Sequence, residues 1–326
     1  MLQKTVLVTG IGGNVGQGII RNIRALKLPI TIIGTNVEAF SAGNHLCDIC
    51  YNVAYAYDET YIEEIVEIVK TNHIDLIIPS TDYEIYYLAK YIQEIPCKIA
   101  ASHFDTTAIY LDKYLTALHH EKHNIPFATT VLPSQFKGEF KDFIVKPRKG
   151  RGSRGLHINP DTYDHFNDEE YLVQELHKGK EITTAFYVTQ HNELLGSITF
   201  DRVLENGATT HCKVVDTYDA RMNEILLQII ANGQIKGAAN IQSIVDDSGA
   251  IHPFEINCRI SGTNSIRANF GFEDVKYTLQ ELLFNEVPQK PVISKGMATR
   301  ILMDVIYPDS NDFSEKINKS VTHYIY

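Results

Sequence analysis

No stretch of the 326-residue chain approaches the roughly 18–20 consecutive apolar residues that a bilayer-spanning helix requires. The opening residues, up to the strand-like Thr5-Val6-Leu7-Val8, are too short and too β-rich for a secretory signal. The expectation is a cytoplasmic protein with no membrane partner. A basic stripe is also missing. The formal net charge of -10 argues against a general nucleic-acid surface, though it leaves room for a small basic pocket. The five cysteines, at 47, 50, 97, 212 and 258, are scattered and odd in number, unlike a secreted disulfide scaffold. Cys47 and Cys50 make one CxxC with His45 nearby. A structural zinc site usually needs a second such pair, so two half-buried thiols are the reading taken. There is no Ser/His/Asp arrangement, internal repeat, low-complexity tract or long linker. What remains is 44% hydrophobic and 21% charged, an ordinary globular composition long enough for two or three cores.

Residues 1–100 alternate strand and helix signals. Thr5–Thr9, Ile30–Gly34 and Leu76–Pro79 read as buried strands. Val15–Leu26, Tyr61–Val69 and Ile85–Ile92 carry helical spacing. Such alternation implies a parallel sheet with right-handed crossovers, a Rossmann-like α/β unit. Over 101–185 a helix at Leu111–His123 precedes strands at Phe143–Lys146 and Tyr171–Gln174. Residues 182–307 alternate polar and apolar, with hairpin signals at Asn206-Gly207 and Ser248-Gly249 and one helix at Asn223–Ala231. This α+β portion reads as an antiparallel sheet carrying a site. The expected divisions are 1–100, 101–185 and 186–326.

The glycine turn Gly10-Ile11-Gly12-Gly13-Asn14-Val15-Gly16 follows a strand and opens a helix, the context of a dinucleotide fingerprint. Its ribose-gripping acid is poorly supplied. Glu38 is a loose fit and Asp75 lies too far along. An oxidoreductase of the epimerase type would also need a Tyr-x-x-x-Lys pair. Tyr110 with Lys113, and Tyr87 with Lys90, are spaced by three. The turn is therefore read as scaffold.

The chemistry lies further on. Lys146, ending the strand Phe143–Lys146, presents a fixed cation, and the loop Gly150–Gly155 is glycine-rich and basic enough to close over phosphates. Gln174-Glu175-Leu176-His177 followed by Glu181 suits an adenosine pocket. Backbone groups of Glu175 and His177 would meet the adenine edge, and the Glu181 carboxylate the ribose. Glu255 and Asn257 are two apart on a strand and share a face, with Phe254 and Ile256 turned to the core. Gln242 on a neighbouring strand would sit opposite. Such oxygen donors suit Mg²⁺ held together with substrate phosphates.

Taken in order, Asp112-Lys113, Ile144-Val145-Lys146-Pro147, the Gly150–Gly155 loop, Val173-Gln174-Glu175, Gly179-x-Glu181, Asn240-x-Gln242 and Glu255-Ile256-Asn257-Cys258-Arg259 resemble the motifs of ATP-grasp enzymes. The likeness is nearest to the ATP-grasp domains of the carbamoyl phosphate synthase large subunit and their stand-alone relatives. It covers nearly the whole chain, with residues 1–100 resembling the Rossmann-like pre-ATP-grasp domain. The resemblance implies a two-subdomain grasp that binds ATP and about two Mg²⁺ ions. Lys113 and Lys146 would contact phosphates, with Gly150, Gly152, Ser153 and Gly155 in a flap. Gln174, Glu175, Leu176, His177 and Glu181 would surround adenosine, and Gln242, Glu255 and Asn257 would hold metal. Arg259 would meet the transferring phosphoryl group. Ser261, Gly262, Thr263, Asn264, Ser265 and Arg267 would border the acceptor, with Arg202 and Lys213 as further acceptor-side cations. The implied reaction joins a small-molecule carboxylate to an amine through an acyl phosphate, in a chain that can be a homodimer. Carbamoyl phosphate-type chemistry on bicarbonate and a non-catalytic ATP-binding regulator are the alternatives. The sequence departs from the family pattern at Cys258, where proline is common, at Arg151 and Arg154 in the flap, and at Gln174 before the adenine acid.

Overall fold

Parallel strand pairing organises the first hundred residues of the computed structural model, which describes residues 3–150, 152, 154–205 and 207–326. Arg151 and Ser153, expected in the flap, and Asn206, expected in a hairpin turn, lie outside the described residues. In chain order come β1 (Lys4–Val8), α1 (Asn14–Ala25), β2 (Ile30–Asn36), β3 (Ile49–Asn52), α2 (Tyr61–Asn72), β4 (Leu76–Ile78), α3 (Asp82–Lys90) and β5 (Lys98–Ile99). The strands form one parallel sheet, in the order β3-β2-β1-β4-β5. Strand runs such as Val6-Leu7-Val8 are covered on both faces, which is why they are continuously apolar. β3 and β5 escape sequence reading because they are short edge strands with half-exposed residues. Helix α3 starts three residues before the expected Ile85. Thr81 caps it, in a reciprocal capping box with Glu84.

Next come α4 (Phe104–Leu111), which the sequence reading did not mark, and α5 (Lys113–Lys122), which matches the helix expected over Leu111–His123. Asp112 separates the two helices in an extended conformation and accepts the Tyr114 and Leu115 N–H groups, so its side chain starts α5. A small antiparallel sheet follows, built from β6 (Thr130–Val131), β7 (Phe143–Pro147), β8 (His157–Ile158) and β9 (Tyr171–Glu175), in the order β6-β9-β7-β8. Val145 and Val173 pack into an aromatic cluster with Phe136 and Phe166. By alternation, Ile144, Lys146 and Gln174 turn to the other face.

The large sheet is antiparallel, with order β14-β13-β10-β11-β12-β15. Its strands are β10 (Lys180–Val188), β11 (Leu194–Glu205), β12 (Ala208–Val215), β13 (Gly237–Val245), β14 (Ile251–Asn257) and β15 (Met297–Thr299). β10 runs through residue 185, so the expected division there falls inside one strand of this sheet. Helix α6 (Asp219–Gly233) covers one face, packing Met222, Leu226 and Ile229 on Ile182, Phe186 and Ile241. The opposite residues, Ala185, Ile198 and Phe200, share a core with Val6, Ile19 and Ile20 of the parallel-sheet unit. That second face also carries Glu181, Thr183 and Gln242, so the site lies between the large sheet, the small sheet and the first domain.

Short helices α7 (Asn264–Arg267) and α8 (Asp274–Thr278) close the back of this core, and β16 (Val305–Ile306) pairs with β17 (Tyr324–Ile325). The Arg267 guanidinium is fully buried and paired with the equally buried Asp274. It also donates to Ser261 Oγ and Thr263 Oγ1, both at 2.8 Å. The expectation that Arg267 meets the acceptor is therefore corrected: all its charge is spent inside the protein. Arg267→Ala should lower stability by about 3–5 kcal/mol, because it strands Asp274 in a dry interior. A drop in the thermal midpoint checks this, and an unchanged midpoint would contradict the assignment.

Candidate functional site

Asp112 does two things at once. Besides capping α5, its carboxylate accepts three hydrogen bonds from Arg148, at 2.7–3.1 Å. Lys113, first residue of α5, is thereby fixed beside the loop after β7, its amide on the Arg148 carbonyl and its Nζ 3.2 Å from the Gly150 carbonyl. Lys146 projects from β7 into the same space. It is buried, donates to Gln174 Oε1 at 2.7 Å, and lies 5.5 Å from the centre of the Phe254 ring. Gln174 is held in turn by Thr130 Oγ1 at 3.0 Å. Burial pulls the Lys146 pKa down to about 7, with Glu255 opposing that shift and Lys113 reinforcing it.

Across the gap, β13 and β14 place Gln242 opposite Glu255 and Asn240 opposite Asn257. The shared face of Glu255 and Asn257 is as expected, and Asn257 Nδ2 donates to Glu255 Oε1 at 3.3 Å. Phe254 is not in the core as expected. The ladder shifts register between Gln242 and Ser243, and Phe254 joins Glu255 on the cavity wall, where it meets Lys146. Burial alone would raise the Glu255 pKa. Lys113 and Lys146, with Asn257 and Arg259, outweigh it and hold the carboxyl below its ordinary value.

These groups bound a cavity of ≈ 270 Å³ that extends between the two antiparallel sheets. Ile144, Leu176 and Phe254 give it apolar walls, and Gly150, Gly152 and Arg154 border it. At one end His177 stacks on His252, ring centres 3.8 Å apart, and His252 is anchored to Asp246 at 2.8 Å. Burial and the neighbouring His252 lower the His177 pKa. Arg202, expected on the acceptor side, borders both this cavity and the adjoining one, and it bridges Glu181 Oε1 (2.6 Å) and the Gln242 amide oxygen, so it ties the expected ribose and metal residues together. Lys213 is exposed, pairs with Asp201 at 3.3 Å and borders neither this cavity nor the adjoining one, which corrects its acceptor role.

The adjoining cavity, ≈ 380 Å³, shares Gln242 and Glu255 with the first and adds Asn257, Arg259, Ser261 and Thr263. Arg259 donates to Asn257 Oδ1 at 3.2 Å and to Asp82 Oδ2 at 2.7 Å. Asp82 was missed. It lies in the Thr81-x-x-Glu84 capping signature, which also marks the true start of α3. Asp82→Asn should leave nucleotide affinity unchanged and lower turnover about tenfold, because it frees Arg259 to swing from the Glu255 side. Equal turnover in the two proteins would remove Asp82 from the site. The turn at Gly10 and Gly13 also lines this cavity, so it is more than the remote scaffold the sequence suggested. Gly10 takes φ +58, and a Cβ there would come within 2.4 Å of Ser80 Oγ, which explains glycine at that point.

Glu38 lies in yet another cavity, and Asp75 is spent on Lys4 and the Thr5 amide. Cys47 and Cys50 are free thiols, and burial raises both pKa values, that of Cys50 to about 11. Among the described residues, no group of three His, Cys, Asp or Glu is arranged to hold a metal, and no helix is long and apolar enough to cross a membrane.

No curated protein matches the sequence. Among solved structures, the chain is similar to N5-carboxyaminoimidazole synthetase from Staphylococcus aureus complexed with ADP (TM-score 0.73, 13% identity, 92% of this chain and 83% of that one). It is also similar to biotin carboxylase from Campylobacter jejuni (0.71, 13%, 95% and 77%) and to L-amino acid ligase from Bacillus licheniformis (0.68, 15%, 89% and 75%). At such identities the likeness establishes the fold. The PylC-like N-terminal domain family matches residues 6–99 and the ATP-grasp domain family residues 110–263. The chain thus carries a PylC-like N-terminal domain followed by an ATP-grasp domain.

Proposed function

We propose that the chain is an ADP-forming carboxylate–amine ligase, with Mg-ATP in the cavity between the two antiparallel sheets. The observation that carries this reading is one convergence. Lys113 and Lys146 face Glu255 across the cavity, and Gln242 and Asn257 flank that carboxylate in register. Adenine fits the apolar end between Ile144, Phe254 and the backbone of Glu175–His177. Glu181 keeps its second carboxylate oxygen for ribose. The flap glycines Gly150, Gly152 and Gly155 cover the phosphates, Gly152 and Gly155 with φ of +64 and +67.

The donor set fits Mg²⁺ that arrives with the nucleotide. One carboxylate and two amide oxygens, the amides held by Arg202 and Arg259 in the free chain, are too few for a standing site, and they would turn to Mg²⁺ only beside triphosphate oxygens. Glu255, Asn257 and Gln242 would hold it, and when bound it supplies positive charge to the phosphoryl oxygens. The chain's own contribution is charge and position. Lys113 and Lys146 neutralise phosphate charge, and Arg259, steadied by Asp82, faces the transferring group. The substrate carboxylate, already ionised at neutral pH, attacks the γ-phosphorus, so ADP leaves and an acyl phosphate forms. The amine then attacks the acyl carbon, expelling phosphate and losing a proton as the amide forms. No general base is needed for the first step. A closed flap keeps water from the acyl phosphate.

The reading includes cytoplasmic residence and leaves homodimerisation to sedimentation. Its test is ADP release from Mg-ATP across a panel of carboxylate-plus-amine pairs, with NADPH absorbance followed in parallel. ADP release that needs both partners supports it. NADPH consumption without ADP, or ATP binding with no turnover on any pair, counts against it.

A further inference from the structure

A cavity of ≈ 760 Å³ lies over the carboxyl ends of β1, β2 and β4, outside the nucleotide cavity. β1 and β4 are the neighbours at which the strand order reverses, since β2 and β3 extend to one side and β5 to the other. In open parallel sheets, ligands bind in the crevice at that reversal. This crevice is continuous with the site. It shares Gly10, Gly13, Thr81, Tyr83, Gly150 and Arg154 with the cavity that contains Glu255 and Arg259.

Its far wall is aromatic and built in advance. Tyr55 and Tyr57 stack with ring centres 5.3 Å apart and planes 4° from parallel, and Tyr57 meets Tyr83 edge to face at 5.9 Å. Tyr55 and Tyr57 remain 43% and 54% exposed. The loop that carries them is pinned at three points. The Val53 N–H bonds the Asn36 carbonyl, Ala54 N–H the Glu64 carboxylate and Tyr55 N–H the Asp58 carboxylate, at 2.9–3.0 Å. Two large rings on a fixed loop thus leave apolar faces uncovered where a ligand would enter. Away from the flap, the exposed charge on the wall is Glu38, whose negative field favours entry of a cationic amine over a second carboxylate.

The geometry points to this crevice as the binding site for the amine substrate, an amine bearing a planar aromatic ring that stacks on Tyr55 and Tyr57. This rests on the ligase reading above. The ring occupies the tyrosine wall, and the amino group lies toward the shared passage that leads to Glu255. The wall adds no covalent chemistry. It selects which amine is held while the acyl phosphate waits.

The test uses the full chain saturated with Mg²⁺ and a non-hydrolysable ATP analogue. Benzylamine, cyclohexylmethylamine and butane-1,4-diamine are titrated as probes by ligand-observed NMR. Benzylamine should bind about fivefold or more tighter than cyclohexylmethylamine, which matches its size without its π-face. The double variant Tyr55→Ala/Tyr57→Ala should weaken benzylamine about tenfold, and Tyr57→Phe should not. Nucleotide affinity should be unchanged in both, which also shows that both fold. Equal binding of the two ring compounds, tighter binding of the diamine, or benzylamine binding indifferent to the double variant would overturn the assignment. If the wild-type chain fails to bind the nucleotide at all, the ligase reading itself falls. If the nucleotide binds and benzylamine does not, only the crevice assignment falls.

Discussion

Glu255→Ala is expected to release no measurable ADP under conditions that give wild-type turnover, a loss of about a thousandfold or more. The size of the effect follows from its neighbours. Lys113, Lys146, Asn257 and Arg259 all act on this carboxylate, and Gln242 lies opposite it in the ladder. Without it, the buried Lys146 loses the charge that opposes its desolvation. Two functions therefore fail together, the oxygen donor for Mg²⁺ and the electrostatic support of a phosphate-binding lysine. Glu255→Gln keeps the shape and one donor oxygen, so it separates the charge from the packing. Wild-type-like ADP release by Glu255→Ala would sink the metal assignment.

Much of this site was legible from order and alternation. The period of two in Glu255-x-Asn257 gave their common face, and the glycine-flanked hairpin at Ser248-Gly249 gave Gln242 as a cross-strand neighbour. Lys146 was legible as a cation that closes a buried strand. What escaped was set by tertiary contact. A bulge has no reliable sequence mark, so Phe254 was assigned to the core when it faces the cavity. Arg202 and Arg267 are both arginines near polar runs, and nothing local distinguishes them. One bridges Glu181 and Gln242, and the other is locked on Asp274 with no exposure. Asp82 and Arg259 are 177 residues apart, and their ion pair exists because α3 begins against the large sheet. The glycine turn was read by its local motif, whereas its use depends on which cavity the fold sets beside it.

Lys146→Ala should weaken Mg-ATP binding about 10- to 100-fold, the range expected for loss of a buried charge-assisted contact. A pH dependence accompanies it. Burial brings the Lys146 pKa to about 7, so in the free protein the group loses its proton as pH rises through that value. Bound phosphate favours the cation. Nucleotide affinity should therefore be full below pH 7 and fall between pH 7 and 9, and binding at pH 8 should take up a proton. Calorimetry in buffers of different ionisation enthalpy reads that uptake directly, and Lys146→Ala should abolish it. Binding of equal strength at pH 6.5 and 9, with no proton uptake, would show that Lys146 does not meet phosphate.

The central claim is where ATP lies, and a crystal structure of the chain with Mg²⁺ and a non-hydrolysable ATP analogue measures that directly. The account predicts adenine against Glu175–His177, phosphates within reach of Lys113 and Lys146, and Mg²⁺ on Glu255 and Asn257. Nucleotide seated on the Gly10–Gly16 turn, with the cavity between the two antiparallel sheets empty, would contradict it.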